Sequence, residues 1–244
     1  MTSTIFSVLT YALIPAVTIT LGGALATLRA PGPKIRSGVQ HFAAGLVFAA
    51  VAVEILPDMM HERKPVAALI GFSIGVALML LVKHLTERME QEPAEGAPPV
   101  ENRRGLLVTL GIDVLIDGLL IGVSFAAGAK AGVILTVALA VEVMFLGLAA
   151  AVALSESGAA RTSIIGVCAE LAGLLLVGAA VGATSLHNLS GATLEGVLAF
   201  GCAALLYLVI EELMVEAHEE KETPTQTAMF FVGFILLLVT EMIA

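Results

Sequence analysis

The feature that most constrains this chain is a series of apolar segments, each about 20 residues long, that follow one another from end to end. A helix rises about 1.5 Å per residue, so each segment is long enough to cross the hydrocarbon core of a bilayer. Lipid offers the backbone no hydrogen-bond partners, which favours helices, and the apolar signal is too continuous for the strands of a membrane barrel. The segments are approximately 4–28, 38–57, 65–83, 105–128, 131–154, 162–183, 193–214 and 226–243. We therefore predict an all-α membrane protein with eight transmembrane helices in a single domain over residues 1–244.

Composition excludes several other classes of protein. Charged residues make up 14% of the chain, well below the roughly 25% of soluble domains. The 12 Lys and Arg residues form no basic run of the kind that indicates nucleic-acid binding. Cys168 and Cys202 lie inside apolar segments, so we interpret them as small buried residues rather than as a disulfide or a metal site. No cation precedes Arg29, so we interpret the first segment as a membrane span and not as a cleaved secretory signal.

The distribution of cations between the breaks predicts the orientation of the chain. Cytoplasmic loops of membrane proteins carry an excess of Lys and Arg. With both termini outside the cytoplasm, the cytoplasmic loops hold Arg29, Lys34, Arg36, Lys83, Arg88, Arg103, Arg104, Arg161 and Lys221, and the external loops hold Arg63, Lys64 and Lys130. We therefore expect a multi-pass protein of the cell membrane with both termini extracytoplasmic and a long cytoplasmic loop over residues 84–104.

Two segments can be aligned at a constant offset of 158 residues. HFAAGLVFAAVAVEILPDMMHE, residues 41–62, aligns with AFGCAALLYLVIEELMVEAHEE, residues 199–220. In this alignment Glu54 meets Glu212, and Asp58 meets Glu216. The first copy would run from the inside to the outside of the membrane and the second in the opposite direction. We interpret the pair as an inverted repeat, which is a common transporter architecture.

Two aspartates interrupt the fourth apolar segment. Asp113 and Asp117, in GIDVLIDGLLIG, are four residues apart and therefore share one face of the predicted helix. An ionised carboxylate near the centre of a bilayer costs roughly 2.5 kcal/mol on insertion scales. Two such groups about 6 Å apart also repel each other by roughly 3 kcal/mol at an effective dielectric constant of about 20. A divalent cation between them would remove both costs.

Two further carboxylates lie in the neighbouring segments. Glu142 lies in the fifth segment, which follows the fourth after the short turn GAKAG, and Glu170 lies in the sixth. Carboxylates are the hard oxygen ligands suited to Mg²⁺, Ca²⁺, Mn²⁺, Fe²⁺ and, less selectively, Zn²⁺. The candidate metal ligands are therefore Asp113, Asp117, Glu142 and Glu170. Two alternatives stay open here: protonated structural acids that bond neighbouring helices, and a proton relay without metal.

Further polar residues end the second and seventh segments. Acids at helix ends are often simply solvated, but their occurrence in both copies of the repeat, at opposite mouths of a pathway, favours roles in taking up and releasing ions. These candidates are Glu54, Asp58, His61, Glu211, Glu212, Glu216 and His218. We interpret His41 and His84, at the ends of spans, as polar boundary residues.

Together these patterns resemble the ZIP family of metal transporters. FAAGLVFAAVAVEILPDM is similar to the family's second-helix pattern, and ALLYLVIEELMVEAHEE is similar to the end of its seventh helix. The fourth and fifth segments occupy the places of the family's two His-Asn-x-Pro-Glu-Gly motifs. The resemblance covers nearly the whole chain. It implies a homodimer and helices arranged as three, two and three, with the central hairpin able to move against the rest.

The chain departs from the two motifs at several positions. In the first motif, the positions of the family's His, Asn, Pro and Glu are occupied by Asp113, Val114, Ile116 and Asp117. In the second motif, the positions of its His or Gln, its Asn or Asp, its Pro and its Glu are occupied by Glu142, Val143, Phe145 and Leu146. Glu170 matches the family's acid in the sixth helix. The family's site can hold two adjacent metals, and the apolar replacements remove ligands mainly of the second, so the resemblance implies one metal here. The lost imidazoles weaken the case for zinc selectivity, and the lost prolines imply helices without proline kinks.

The sequence therefore predicts a divalent metal cation transporter of the zinc, iron or manganese type, in which one ion bound between carboxylates is exposed alternately to each side. The metal is the substrate, and no organic cofactor is expected. No phosphate-binding loop and no HExxH, GxSxG or Cys–His arrangement is present, so we expect no enzyme activity. The expected partners are the metal ion, the lipid bilayer and a second copy of the chain. The alternative is a non-transporting membrane protein of the same fold that uses the acids structurally or as a metal sensor.

Overall fold

The computed structural model describes residues 2–28, 32–91, 99–185, 189–218 and 223–243, which form eight long helices. The helices are α1 (Thr2–Leu28), α2 (Pro33–Glu62), α3 (Pro65–Gln91), α4 (Pro99–Ala127), α5 (Ala129–Glu156), α6 (Arg161–Ser185), α7 (Gly191–Ala217) and α8 (Pro224–Ile243). All eight are long and apolar enough to cross a membrane. The prediction of an all-α membrane protein with eight spanning helices is confirmed.

The helices extend beyond the apolar segments at their polar ends. α3 continues to Gln91 and α4 begins at Pro99, so helix occupies much of the predicted loop at 84–104. Lys, Glu and Arg are good helix formers, and a charged helix end can therefore continue past the apolar run. Residues 92–98 lie outside the described part of the chain. Several helices, α4 among them, begin at a proline, which suits the first helical position because its missing N–H would have no partner there.

The contacts between helices repeat when the two halves of the chain are exchanged. α1 packs on α5 and α4 packs on α6, while α2 packs on α8 and α7 packs on α3. If α1, α2 and α3 are exchanged with α6, α7 and α8, and α4 with α5, the pair α1–α5 becomes the pair α6–α4, and the pair α2–α8 becomes the pair α7–α3. The pairs α1 with α6, α2 with α7 and α4 with α5 connect the halves. The structure is thus the predicted three-plus-two-plus-three arrangement with an inverted repeat.

Both copies of the repeat contain a π-helical segment at the corresponding position. The segment is Val51–Ile55 in α2 and Leu208–Leu213 in α7, so the two overlap when the offset of 158 residues is applied. Each segment carries one of the aligned acids, Glu54 in the first and Glu212 in the second. Single π-helical turns inside α-helices are rare and are frequent at functional sites. The repeat therefore extends from the sequence to the backbone geometry around these two acids.

Glycines let the closest helix pairs approach to backbone contact. A Cβ atom added at Gly118 of α4 would lie 2.1 Å from the carbonyl oxygen of Leu175 in α6. One added at Gly233 of α8 would lie 2.2 Å from the carbonyl oxygen of Phe42 in α2. In lipid, helix association depends on close van der Waals packing of this kind, because the hydrophobic effect does not drive helices together. These glycines therefore fix which helices are in contact.

We expect Gly233→Ala to lower the free energy of unfolding by about 1–3 kcal/mol, because the added methyl group would overlap the Phe42 carbonyl and separate α2 from α8. The matched control is Gly173→Ala in α6, where no described atom lies within 4 Å of the added Cβ. The control should change the free energy by less than about 0.5 kcal/mol. Unfolding in dodecyl sulfate, followed by circular dichroism, measures both values. Equal losses in the two variants would contradict this packing.

Candidate metal centre

The two aspartates of α4 and Glu142 of α5 come together between the central helices. One carboxylate oxygen of each residue lies within 4.8 Å of the other two. Asp117 is 0% exposed and Glu142 is 3% exposed, whereas Asp113 is partly exposed. The spacing of four residues puts both aspartates on one face of α4, and the short connection to α5 brings Glu142 to the same place. Because metal–oxygen bonds are about 2.0–2.6 Å long, a single ion can contact all three.

Three buried carboxylate oxygens of this cluster lack hydrogen-bond partners within the described chain. Neither oxygen of Asp117 has one, and nor does Oε2 of Glu142. Buried polar atoms in proteins are nearly always paired, and an uncompensated buried charge costs several kcal/mol. Orphaned carboxylate oxygens that converge on one point are the donor set that a hard divalent cation requires. The cluster therefore fits a cation better than it fits a structural hydrogen-bond network.

A cavity of about 250 Å³ reaches the cluster at Asp113. The carboxyl group of Glu212 interacts with that of Asp113 at the inner part of this cavity. Glu211 also lines the cavity and forms an ion pair with Lys83 of α3, with 2.6 Å between Nζ and Oε2. The acidic side chains on its wall are Asp113, Glu211, Glu212 and Glu216. The end of α7 thus places three of its acids on the wall of a cavity that reaches the cluster.

The acids of α2 lie at the corresponding position in the other copy of the repeat. Glu54 lies beside Glu241 of α8, which forms an ion pair with Lys130 of α5. Asp58 is partly buried one turn further along α2, and His61 is exposed. Glu241 lies 158 residues after Lys83, so each copy places a charged residue at the same position, beside the π-helical segment of the other copy. The residue at this position is the cation Lys83 in the first copy and the anion Glu241 in the second.

Glu170 does not join the cluster. Its side chain lies on the exposed face of α6, while the neighbouring Leu171 and Leu175 are buried. The ligand atoms that converge in the described part of the chain belong to Asp113, Asp117 and Glu142 alone. The structure thus brings together three of the four candidate ligands.

His41, which the sequence predicted to be a polar boundary residue, is fully buried. His41 is 0% exposed, and its ring centroid lies 5.3 Å from that of His218. Ser37 and Gln40 on the same face of α2 are also buried. These three polar residues are spaced at i, i+3 and i+4 and therefore share one side of the helix. This spacing is the signal in the sequence from which a buried polar face on α2 could have been predicted.

Two comparisons with known proteins identify relatives of this chain. The family model described as ZIP zinc transporter matches residues 91–241, a range that contains the three converging carboxylates and the acids of α7. The chain is also similar to the zinc transporter GufA of Myxococcus xanthus. The two are 33% identical over 227 residues, which cover 88% of this chain and 87% of that protein.

The cavity predicts which thiols water-soluble reagents can reach. Ile116 lines the cavity, whereas its neighbour Leu115 is 36% exposed on the outside of α4. Charged methanethiosulfonates need an ionised thiol in water, so Ile116→Cys should be labelled roughly tenfold faster than Leu115→Cys. Both native cysteines are buried, so we expect little labelling of the unsubstituted protein. Labelling in lipid nanodiscs, followed by mass spectrometry, measures the rates. Faster labelling of Leu115→Cys would show that the cavity is not the aqueous route.

Proposed function

The chain belongs to the ZIP zinc transporter family, and we propose that it carries divalent metal cations across a membrane through a site formed by Asp113, Asp117 and Glu142. The observation that supports this site most directly is the convergence of three carboxylates, two of which, Asp117 and Glu142, have buried oxygens without hydrogen-bond partners in the described chain. The metal is the substrate and is held only during its passage. A single ion suffices, because Val114, Val143 and Leu146 offer no ligand atoms for a second ion beside it.

The chemistry of the ligands indicates the class of metal. All three ligands are carboxylates, which accept Zn²⁺, Fe²⁺ and Mn²⁺ without the strong preference that nitrogen or sulfur ligands give to late transition metals. Three negative charges exceed the charge of one divalent ion by one. Such a site binds cations and rejects anions, and it discriminates among divalent cations mainly by size and coordination number.

The position of the cavity supports a route for the ion. Asp113 is the partly exposed member of the cluster and interacts with Glu212, so it provides the way out. Glu216 lies four residues after Glu212, or about 6 Å further along α7. The cation distribution predicts that this end of α7 is cytoplasmic. We infer that this conformation connects the site to the cytoplasmic side, and that Glu54 serves the opposite side when the site opens there.

The contacts between helices suggest which part moves during this change. α4 is held to α6, and α5 to α1, by backbone contacts at Gly118 and Gly22. α2 and α8 form another close pair, as do α3 and α7. The unit that carries the ligands is therefore larger than the central hairpin expected from the sequence, and consists of α1, α4, α5 and α6. We propose that this unit shifts against α2, α3, α7 and α8, as rigid halves do in other transporters with inverted repeats.

Asp117→Asn should abolish metal flux and weaken Zn²⁺ binding by at least about tenfold, because it removes a buried charge that the cation neutralises. Glu170→Gln is the matched control and should leave both unchanged, since its side chain lies on the exposed face of α6. Uptake into proteoliposomes that contain a zinc indicator measures flux, and calorimetry measures binding. Tight binding without flux in the unsubstituted protein would favour a metal sensor. Unchanged binding in Asp117→Asn would exclude this site.

Asp113→His should move the preference of the transporter toward Zn²⁺ over Mn²⁺. The substitution replaces an oxygen ligand by an imidazole nitrogen, which late transition metals favour. Uptake of each metal in competition with the other, compared between this variant and the unsubstituted protein, measures the change. An unchanged ratio in a variant that still transports would show that Asp113 does not contact the ion.

A further inference from the structure

Three charged side chains from α2, α5 and α8 meet near the end of α8. The ammonium group of Lys130, in the first turn of α5, forms an ion pair with the carboxylate of Glu241. The carboxyl group of Glu241 lies within hydrogen-bonding distance of that of Glu54, in the π-helical segment of α2. The other charged residues that act on Glu54 are Lys130 itself and Asp58, one turn further along α2. One cation therefore serves two neighbouring carboxyl groups.

This group lies on the opposite side of the carboxylate centre from the cavity. The residues of α4 that line the cavity, Thr109 and Ile116 among them, precede Asp117 in that helix. Lys130 comes after the other end of α4, which the helix reaches at Ala127. The distribution of cations predicts that this end is extracytoplasmic. The group therefore lies where the proposed carrier would open to the outside.

The ion pair of Lys130 with Glu241 joins the two units that the proposed function assigns to the carrier. Lys130 belongs to α5, in the unit that carries the ligands, whereas Glu241 belongs to α8, whose close packing in the described chain is with α2. The ion pair of Lys83 with Glu211 differs in this respect. It lies within one unit, because α3 and α7 pack on each other. Loss of the first pair should therefore affect the relation between the units, and loss of the second should not.

The two carboxyl groups depend on Lys130 because both are partly buried. Oε1 of Glu54 and Oε2 of Glu241 are buried and have no hydrogen-bond partner in the described chain, and the side chain of Glu241 is 19% exposed. Neighbouring carboxylates repel each other, and partial burial screens this repulsion less than water does. If the units moved apart here, Lys130 would leave with α5, and the two carboxyl groups would lose their cation. The contact with Lys130 therefore favours the present arrangement of the units.

We propose that Lys130, Glu241 and Glu54 form a latch that holds the two units together on the side opposite the cavity. The inference rests on the proposed function, because it takes these units to be the ones that shift during transport. While the latch is closed, Glu54 is engaged with Glu241 and Lys130. When it opens, Glu54 becomes free for the role on that side which the proposed function gives it. Lys83, the counterpart of Glu241 in the repeat, pairs within its own unit, so the two sides are held differently.

The test measures a distance between the units in the full chain, in lipid nanodiscs. Spin labels are attached at Val66→Cys of α3 and Thr184→Cys of α6, which are exposed positions on different units at the latch side. Both native cysteines are buried. Pulsed electron paramagnetic resonance should find one main distance without further substitution. Lys130→Gln should raise the proportion of a second distance at least about threefold. Lys83→Gln is the matched control and should leave the distribution unchanged, as should the conservative Lys130→Arg.

The outcomes separate this inference from the proposed function. Glu241→Gln removes the other charge of the pair and should give the same second distance as Lys130→Gln. An unchanged distribution in both variants, or an equal change in Lys83→Gln, would overturn the latch. Uptake of Zn²⁺ into proteoliposomes is measured on the same proteins. Uptake by the unsubstituted protein, together with an unchanged distribution in Lys130→Gln, would contradict the latch alone. A second distance in Lys130→Gln without uptake by the unsubstituted protein would support the latch and contradict the carrier.

Discussion

The structure is organised around an unfavourable burial, that of the carboxylates of Asp117 and Glu142 between α4 and α5, with the partly exposed Asp113 beside them. Each carboxylate that leaves water without a partner costs several kcal/mol, and three together also repel one another. The surrounding helices hold them in place. Gly118 brings α4 against α6, and Gly22 brings α1 against α5, at distances that leave no room for a side chain. Because these helices are packed too closely to move apart easily, the proposed cation would offset the repulsion among the carboxylates without a rearrangement of the helices.

In the proposed carrier, the inverted repeat would give this centre one approach from each side. The π-helical segments place Glu54 of α2 and Glu212 of α7 at matching positions in the two copies. The copies differ in their charges, since Lys83 of the first copy pairs with Glu211, whereas its counterpart Glu241 in the second copy pairs with Lys130. Packed interfaces tend to have discrete alternative arrangements rather than a continuous range. In the proposed transport cycle, a repeat with matching helix contacts but different ion pairs would allow two states of similar energy.

The sequence predicts the fold well because lipid imposes its demand on each segment separately. Every span must satisfy its own backbone hydrogen bonds, so hydropathy alone finds all eight helices. The spacing of Asp113 and Asp117 likewise predicts a shared face, which the structure shows. The position of Glu170 could not be predicted, because α6 is apolar on every side and its rotation is set by contacts such as that of Gly178 with the Leu115 carbonyl. The burial of His41 depends on the end of α7, which is distant in sequence, and hydropathy carries no information about it.

The arrangement of ligands along the route bears on how a carrier can bind an ion and still release it. A site that holds its ion with all available ligands releases the ion slowly. If the ligands are exchanged one at a time, the ion stays coordinated throughout its release. Glu212 contacts Asp113 of the centre, Glu216 lies one helical turn further along α7, and His218 follows it. In the proposed carrier, an ion that moves from Asp113 past Glu212 to Glu216 would exchange one carboxylate for the next in steps of about 6 Å.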